Sequence, residues 1–103
     1  MRALVDTGAD ATVIPEDVAE ELELHVIEYA SLEGVVGSHD VTVHGAIVHL
    51  AGVALPLGIV AHADECVVGR DLLTHFVTRL DGPRATVTFE VRPQRGRPPR
   101  TRR

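Results

Sequence analysis

The sequence contains one cysteine, no tryptophan and no lysine in 103 residues. A disulfide needs two cysteines, so the single Cys66 excludes an internal disulfide framework, and its neighbours Val67 and Val68 predict a buried, unreactive thiol. Aromatic residues make up only 3% of the chain, whereas hydrophobic residues make up 45%. The core must therefore consist of Val, Leu, Ile and Ala, and this composition favours a sheet over a helical bundle.

Long apolar segments are also absent. No run reaches the roughly 18 residues that a membrane-spanning helix needs, and the first residues do not resemble a signal peptide. We therefore predict a cytoplasmic protein without membrane contact. The length predicts one domain, and because a small domain buries a small share of its surface, a partner chain would add stability.

Positive charge is scarce outside the C-terminal segment. All 15 acidic residues but only four arginines lie in residues 1–91, which gives this part a formal charge near −11. Residues 92–103 contain six arginines and no acid, which gives +6, and no large apolar side chain. We predict a folded domain over 1–91 and a disordered tail over 92–103. Because the tail has no aromatic residue for base stacking, nucleic-acid binding is the less favoured role for it.

An acidic turn lies between two apolar runs near the N-terminus. Leu4 and Val5 indicate the end of a buried strand, and Asp6-Thr7-Gly8 follows as a tight turn, in which Gly8 permits a backbone path closed to other residues. Strand character resumes at Thr12-Val13-Ile14. Asp, Thr and Gly are common turn formers, so this motif alone indicates no more than an ordinary turn.

A second motif changes this interpretation. Val67-Val68-Gly69-Arg70-Asp71-Leu72-Leu73 follows the first motif, with Gly69 placed 61 positions after Gly8. In order and separation the two motifs resemble the active-site segment and the apolar-apolar-Gly-Arg-Asp/Asn-Leu-Leu segment of retropepsin-like aspartic proteases. The resemblance covers roughly positions 3–90. It implies an all-β, mainly antiparallel fold with one or two short helices, an acid-protease half-barrel that functions as a two-fold dimer.

The resemblance assigns roles to individual residues. Asp6 would be the catalytic acid. Thr7 would bond across the dimer axis and Gly8 would let the substrate backbone approach, while Asp10 would hold Arg70 inside the fold. The supporting residues are thus Thr7, Gly8, Ala9, Asp10 and Arg70. No metal or organic cofactor is implied.

One carboxylate in each chain is not enough for amide hydrolysis, which needs a base to activate water and an acid to protonate the leaving nitrogen. The sequence contains a single Asp-Thr-Gly, so the second acid must come from a second molecule. A two-fold axis would place the two copies of Asp6 opposite each other. We therefore predict an aspartic endopeptidase that is an obligate homodimer and acts on polypeptides.

Two alternatives stay open. In the family a longer segment, with a strand of the dimer sheet, precedes the catalytic acid, whereas five residues precede Asp6 here. This departure leaves a catalytically silent, dimeric peptide-binding module of the same fold as one alternative. The other is a small β protein whose arginine-rich tail binds nucleic acid.

The remaining residues predict hairpins joined by short elements. Glycines among apolar residues mark a bend, and by position it is the candidate flap of the resemblance: Gly34, Val35, Val36 and Gly37. His44 and His49 fall on opposite faces of one strand, so we expect no shared metal site. The expected elements are a helix over 15–23 that packs through Val18, Ala19 and Leu22, a strand over 25–30, a hairpin of 41–50 and 53–60 around Ala51-Gly52, a strand over 66–68, a helical segment with Leu72, Leu73 and Phe76, and a hairpin of 77–80 and 85–91 with a corner at Asp81-Gly82.

Overall fold

Strands dominate the structure. The computed structural model describes residues 2–34 and 37–91, and its strand content of 56% confirms the mainly β class. Neither helix in these ranges is long and apolar enough to cross a membrane. The predicted tail over 92–103 lies outside the described residues. The elements in chain order are β1 Leu4–Val5, β2 Val13–Ile14, α1 Glu16–Glu21, β3 Val26–Gly34, β4 Gly37–Leu50, β5 Val53–Ala61, β6 Val67–Val68, α2 Arg70–Leu73, β7 Phe76–Asp81 and β8 Thr86–Val91.

The six-stranded sheet brings distant parts of the chain side by side. Its strand order is β1-β6-β2-β5-β4-β3. β1 runs parallel to β6, with Leu4 opposite Val67 and Val5 opposite Val68, and β2 lies antiparallel to β6 through Val13. β6 therefore lies between the strands that precede and follow the acidic turn. This pairing makes the two sequence motifs neighbours in space.

β4 and β5 form the predicted hairpin. Their pairs run from Thr42–Ala61 to Leu50–Val53. The two turn residues between them, Ala51 and Gly52, have φ angles of 52° and 78°. Positive φ at both central residues is what a two-residue turn needs to match the twist of its strands, so the predicted corner is confirmed.

The β3–β4 hairpin is longer than expected, because the first predicted strand ended at residue 30 and the next began at residue 41. The additional pairs run from Ser31–Asp40 to Gly34–Gly37. Polar residues contribute several of these pairs, so no alternation of apolar and polar residues marks them in the sequence. Gly34 and Gly37 are cross-strand partners at the end of the hairpin. The candidate flap residues Val35 and Val36 lie outside the described residues.

Aliphatic side chains form the core, as the composition indicates. Val13 of the central strand β2 lies opposite Val60 of β5 and Val67 of β6, and burying a side chain of this size contributes roughly 1.5–3 kcal/mol. Cys66 is half-buried, contrary to the prediction of a buried thiol, because it ends a surface loop just before β6. The buried cluster consists of Val13, Val41 and Val60, with Ala11, Ala30, Val43 and Val67 packed against it.

Helix α1 has six residues, fewer than the predicted 15–23. Glu16 and Asp17 place negative charge in its first turn, where the helix dipole favours it. Ala19 is buried against the sheet at 2% exposure, but Leu22 is 61% exposed. The expectation that Leu22 packs on the sheet is wrong, because the helix has already ended there.

Helix α2 is a single turn, and Phe76 is not part of it. The spacing of Leu72, Leu73 and Phe76 predicts a helix through all three, but Phe76 begins β7. All three side chains are nevertheless buried, since β7 follows α2 almost at once. The predicted helix is therefore wrong for Phe76, which belongs to a strand.

β7 and β8 form a separate two-stranded sheet. The predicted Asp81-Gly82 corner is present, and the Arg84 N–H donates to the Asp81 carboxylate at 3.2 Å. The loop extends further than expected, because Ala85 has a φ of 52° and donates its N–H to the Gly82 carbonyl at 3.0 Å. β8 therefore begins one residue later than expected, at Thr86.

Candidate active site

Asp6 lies in a hydrogen-bonded turn directly after β1. Its N–H donates to the Val68 carbonyl at 3.0 Å, and its carbonyl accepts a bond from the Ala9 N–H at 3.1 Å. Its carboxylate oxygen Oδ1 accepts a bond from the Gly8 N–H at 2.9 Å. These bonds hold both the backbone and the side chain of Asp6. The residue is half-buried, whereas Thr7 and Gly8 are exposed, so the acid is fixed yet open to solvent.

The strand before Asp6 is less buried than the sequence indicates. Leu4 is 62% exposed and Val5 is half-buried. The reason is that β1 is the edge strand, with β6 as its neighbour in the described sheet. Asp6 consequently lies at the rim of the sheet.

The second motif runs close beside the residues that follow Asp6. The Arg70 N–H donates to the Ala9 carbonyl at 2.8 Å. Gly69 makes this approach possible, because a Cβ atom there would lie 2.5 Å from the Ala11 carbonyl oxygen and 3.0 Å from that of Ala9. Any other residue at position 69 would have to push the two segments apart.

The predicted pair of Asp10 and Arg70 is present. Arg70 Nη2 donates to Asp10 Oδ1. The placement of this pair inside the fold is wrong for the single chain, however, since the side chains are 85% exposed for Asp10 and 55% exposed for Arg70. An exposed ion pair typically contributes only about 0–1 kcal/mol, because water screens the charges and both side chains lose freedom.

A more buried connection joins Thr12 to Asp71, and the sequence reading missed it. The Thr12 hydroxyl donates to Asp71 Oδ1 at 2.7 Å, and the Thr12 N–H donates to Asp71 Oδ2 at 3.1 Å. The same hydroxyl accepts a bond from the Gly69 N–H at 3.1 Å. Thr12 is only 5% exposed, so these bonds satisfy polar atoms that water does not reach. A threonine within the apolar run that leads into β2 was the signal available in the sequence.

The histidines do not form a site. His44 is 9% exposed, and its ring nitrogens contact Thr42 Oγ1 at 2.9 Å and the Leu24 carbonyl at 3.1 Å. It is thus a hydrogen-bonded residue of the core. His49 is exposed, and within 2–34 and 37–91 no group of three or more His, Cys, Asp or Glu is arranged to hold a metal ion.

Comparison with known protein families shows the family to which this chain belongs. A family model described as "gag-polyprotein putative aspartyl protease" matches residues 1–77, which include both motifs. The chain belongs to this family. The match confirms the resemblance to retropepsin-like aspartic proteases. A search of curated proteins found no match.

As a member of the gag-type aspartyl protease family, the chain presents one positioned carboxylate. A carboxylate acts as a base when ionised and as an acid when protonated, but it cannot do both in the same step. One such carboxylate alone can supply only half of what amide hydrolysis requires. The Thr12–Asp71 and Gly69 contacts hold the segment after Asp6 without touching the Asp6 carboxylate.

Proposed function

We propose that this chain is an aspartic endopeptidase that cleaves polypeptides as a homodimer, through a water molecule activated by Asp6 of both chains. The observation that carries the proposal is the Asp6 turn, in which the Gly8 N–H fixes Oδ1 at 2.9 Å. The turn lies at the rim of the sheet, open to substrate. Membership of the aspartyl protease family supports the same conclusion.

The homodimer follows from the chemistry. The reaction needs a base and an acid together, and each chain has a single Asp-Thr-Gly. A two-fold axis beside the edge strand β1 would bring the two Asp6 carboxylates together, because such an axis repeats the same surface on both subunits. One chain alone is then inactive.

Electrostatics then divides the roles of the two acids. Two carboxylates about 3 Å apart repel by about 5 kcal/mol at an effective dielectric constant near 20. A shared proton removes this repulsion, so one carboxylate stays ionised as the base on water and the other is the acid for the leaving nitrogen. The reaction requires no metal and no organic cofactor.

Neighbouring residues have supporting roles in the proposal. Thr7 is exposed beside Asp6, where its hydroxyl is available for a bond to the second chain. A Cβ atom at Gly8 would lie 3.3 Å from Asp6 Oδ1, so glycine keeps the carboxylate uncrowded, and in this scheme it also lets the substrate backbone approach. Ala9 accepts the backbone bond from Arg70, and the outer pair of Arg70 with Asp10 braces the same segment.

The proposed flap is the end of the β3–β4 hairpin. Gly34 and Gly37 pair across its two strands, and Val35 and Val36 between them complete the candidate segment. The partners in this scheme are a second copy of the chain and a polypeptide substrate, with no role for a membrane or nucleic acid. A cytoplasmic location stays a prediction from the sequence.

Cleavage of an unstructured protein at mildly acidic pH tests the proposal. We expect Asp6→Asn to lower the rate by about 10²–10⁴-fold, the usual contribution of acid–base catalysis, because the amide cannot take a proton from water. Asp64→Asn is the matched control, since Asp64 is an exposed acid in a loop. A transition-state mimic with a hydroxyl at the scissile position should block the parent enzyme.

The outcomes separate the alternatives. An Asp6→Asn variant with activity within about tenfold of the parent would remove Asp6 from the catalytic role. A parent chain that binds the peptide without cleaving it would be a silent binding module. Binding of nucleic acid alone, without affinity for peptides, would favour the small β protein with an arginine-rich tail.

A further inference from the structure

The outer part of the β3–β4 hairpin extends beyond the rest of the described sheet. β4 pairs with β5 as far as Thr42–Ala61, and the pairs nearer the hairpin end join β4 to β3 alone. We call the pairs from Ser31–Asp40 to Gly34–Gly37 the outer hairpin. A ribbon of two strands is at best marginally stable by itself. The position of the outer hairpin therefore depends on side-chain contacts with the rest of the fold.

Two histidine rings make such a contact. His39 lies in the outer hairpin, opposite Leu32 in the register of the two strands, and His62 directly follows β5. The centroids of the two imidazole rings are 5.3 Å apart, and their planes are tilted by 41°. This distance is typical of packed aromatic rings. His39 is exposed and His62 is half-buried, so protons from the solvent reach the pair.

His62 is fixed to the body of the sheet. Its N–H donates to the Ile14 carbonyl at 3.1 Å, and its carbonyl accepts a bond from the Glu65 N–H at 3.3 Å. Ile14 belongs to β2, the strand that follows the Asp6 turn. The contact of His39 with His62 therefore positions the outer hairpin relative to the part of the fold that carries Asp6.

Other titratable groups lie near the pair, but neither imidazole belongs to an ion pair in the part of the chain that the structure describes. The acids of the outer hairpin lie on the face opposite His39, because side chains alternate along a strand. Each group stays with its own histidine whether the rings are together or apart, so docking changes chiefly the interaction between the rings. These groups are Glu33 and Asp40 on the outer hairpin, Glu16 of α1, which bonds to the Ala63 N–H, and Asp64, Glu65 and Cys66 in the loop after His62.

Protonation reverses the sign of the interaction between the rings. Two neutral imidazoles pack together, whereas two imidazolium ions repel, and histidine changes its charge between about pH 5 and 8. Even in water, two unit charges 5.3 Å apart repel strongly enough to change an equilibrium about fourfold. The repulsion exists only while the rings are together. Protonation of both rings consequently favours their separation.

We propose that His39 and His62 are positioning residues for the proposed flap: their neutral rings hold the outer hairpin against the sheet, and protonation of both rings releases it. Its role in cleavage rests on the proposed function, in which the end of this hairpin is the flap. Release of the hairpin gives a polypeptide easier access to Asp6 under the mildly acidic conditions proposed for cleavage.

Hydrogen exchange on the parent protein at about pH 7.5 and about pH 5 tests the proposal without any substitution. Protection is calculated relative to an unfolded chain at the same pH, so the intrinsic effect of pH on exchange cancels. We expect protection of the outer hairpin amides to fall at least about threefold in acid, relative to amides of the β4–β5 hairpin. One fixed protein concentration keeps association from changing the result.

Three variants separate the ring contact from other effects of acid. His39→Phe keeps a ring that packs but cannot take up a proton, so its outer hairpin should have the same protection at both pH values. His49→Phe is the matched control, since His49 is an exposed histidine of the same strand outside the pair, and it should behave as the parent does. The double variant His39→Lys/His62→Lys has two charges at both pH values and should show lowered protection at both.

The role in cleavage has its own measurement. At about pH 5 the His39→Phe enzyme should have a higher KM for an unstructured protein than the parent, because its hairpin stays docked, and at about pH 7.5 the two values should agree. An equal KM at both pH values, with the expected exchange result, would mean that the ring contact does not position the flap for cleavage.

Failure of the ring contact and failure of the proposed function give different results. Parent protection that does not depend on pH would overturn the proposal, and so would a folded His39→Phe that loses protection in acid as the parent does. If the outer hairpin is released in acid but the parent cleaves nothing, the proton-sensitive contact stands and the endopeptidase assignment is wrong. If the parent cleaves while protection stays unchanged, the endopeptidase stands and the contact has no such role.

Discussion

Replacement of Asp71 by alanine should destabilise this protein far more than replacement of Arg70. Both residues belong to the second motif, and both join it to the segment after Asp6. The Asp71 carboxylate accepts two bonds from Thr12, at 2.7 and 3.1 Å, and Thr12 is 5% exposed. Arg70 bonds to Asp10 through side chains that are largely in water. Removing Asp71 leaves buried donors without a partner, whereas removing Arg70 leaves an exposed carboxylate that water solvates.

The expected magnitudes differ accordingly. A hydrogen bond to a charged group contributes about 1.5–3 kcal/mol, and because Asp71 is only half-buried we take about 2–4 kcal/mol for its two bonds to Thr12 together. The exposed pair of Arg70 and Asp10 contributes about 0–1 kcal/mol. In a domain of this size each kcal/mol changes Tm by about 4–8 °C. Asp71→Ala should therefore lower Tm by about 10–30 °C and Arg70→Ala by at most about 8 °C.

Urea unfolding and thermal melting at one fixed protein concentration measure the difference, since association would otherwise change the apparent stability. Asp71→Asn is the informative control, because its amide oxygen still accepts a bond from the Thr12 hydroxyl and should restore part of the loss. If Arg70→Ala destabilised the protein as much as Asp71→Ala does, the reasoning would be refuted. The exposed pair would then be the main connection between the motifs.

Mixing parent chains with excess Asp6→Asn chains should suppress cleavage, because heterodimers with a single acid form. Cleavage activity measured as a function of the ratio of variant to parent chains tests this prediction. Gly69→Ala should lower the free energy of unfolding by about 1–3 kcal/mol or more, because its Cβ would lie 2.5 Å from a carbonyl oxygen; urea unfolding measures this. Gly82→Ala is the control and should be tolerated, since a Cβ at position 82 would meet nothing within 4 Å. The hydrogen bond and charge of Arg79 lower the pKa of Glu90. The stability from this pair is therefore present above the ordinary pKa of glutamate and is lost as the pH falls through the lowered pKa of Glu90. An NMR titration of the Glu90 carboxyl group should show the lowered pKa in the parent and its return toward the ordinary value in Arg79→Gln.

Features set by neighbouring residues could be predicted from the sequence. The turn at Ala51-Gly52 and the corner at Asp81-Gly82 depend on residues that adopt unusual backbone angles or hydrogen-bond locally, so a dipeptide is enough to indicate them. The aliphatic core followed from the scarcity of aromatic residues. The contact of Asp10 with Arg70 came from the resemblance, which records a contact between distant residues that composition does not show.

Burial could not be predicted in the same way, because it depends on which strands become neighbours. Leu4 lies in an apolar run and yet is 62% exposed, since β1 is at the edge of the sheet. Thr12 looks like an ordinary strand residue and yet is 5% exposed, because the segment after β6 places Gly69 and Asp71 against it. Phe76 is buried in a strand and not in the helix that its spacing indicates. In each case burial depends on which elements become neighbours in space, and the local pattern of apolar and polar residues does not contain this information.

Bonds within one chain already hold Asp6, whereas the proposed second acid belongs to another chain. The Asp6 N–H bonds to Val68, the Gly8 N–H bonds to the Asp6 carboxylate, and neither bond involves a partner. Dilution below the dimer dissociation constant should therefore abolish cleavage while leaving the turn formed. Hydrogen exchange at the Asp6 amide, compared with specific activity over the same range of concentrations, measures both. Loss of Asp6 protection in step with activity would mean that association creates the turn, and that a single chain does not carry a preformed half of the site.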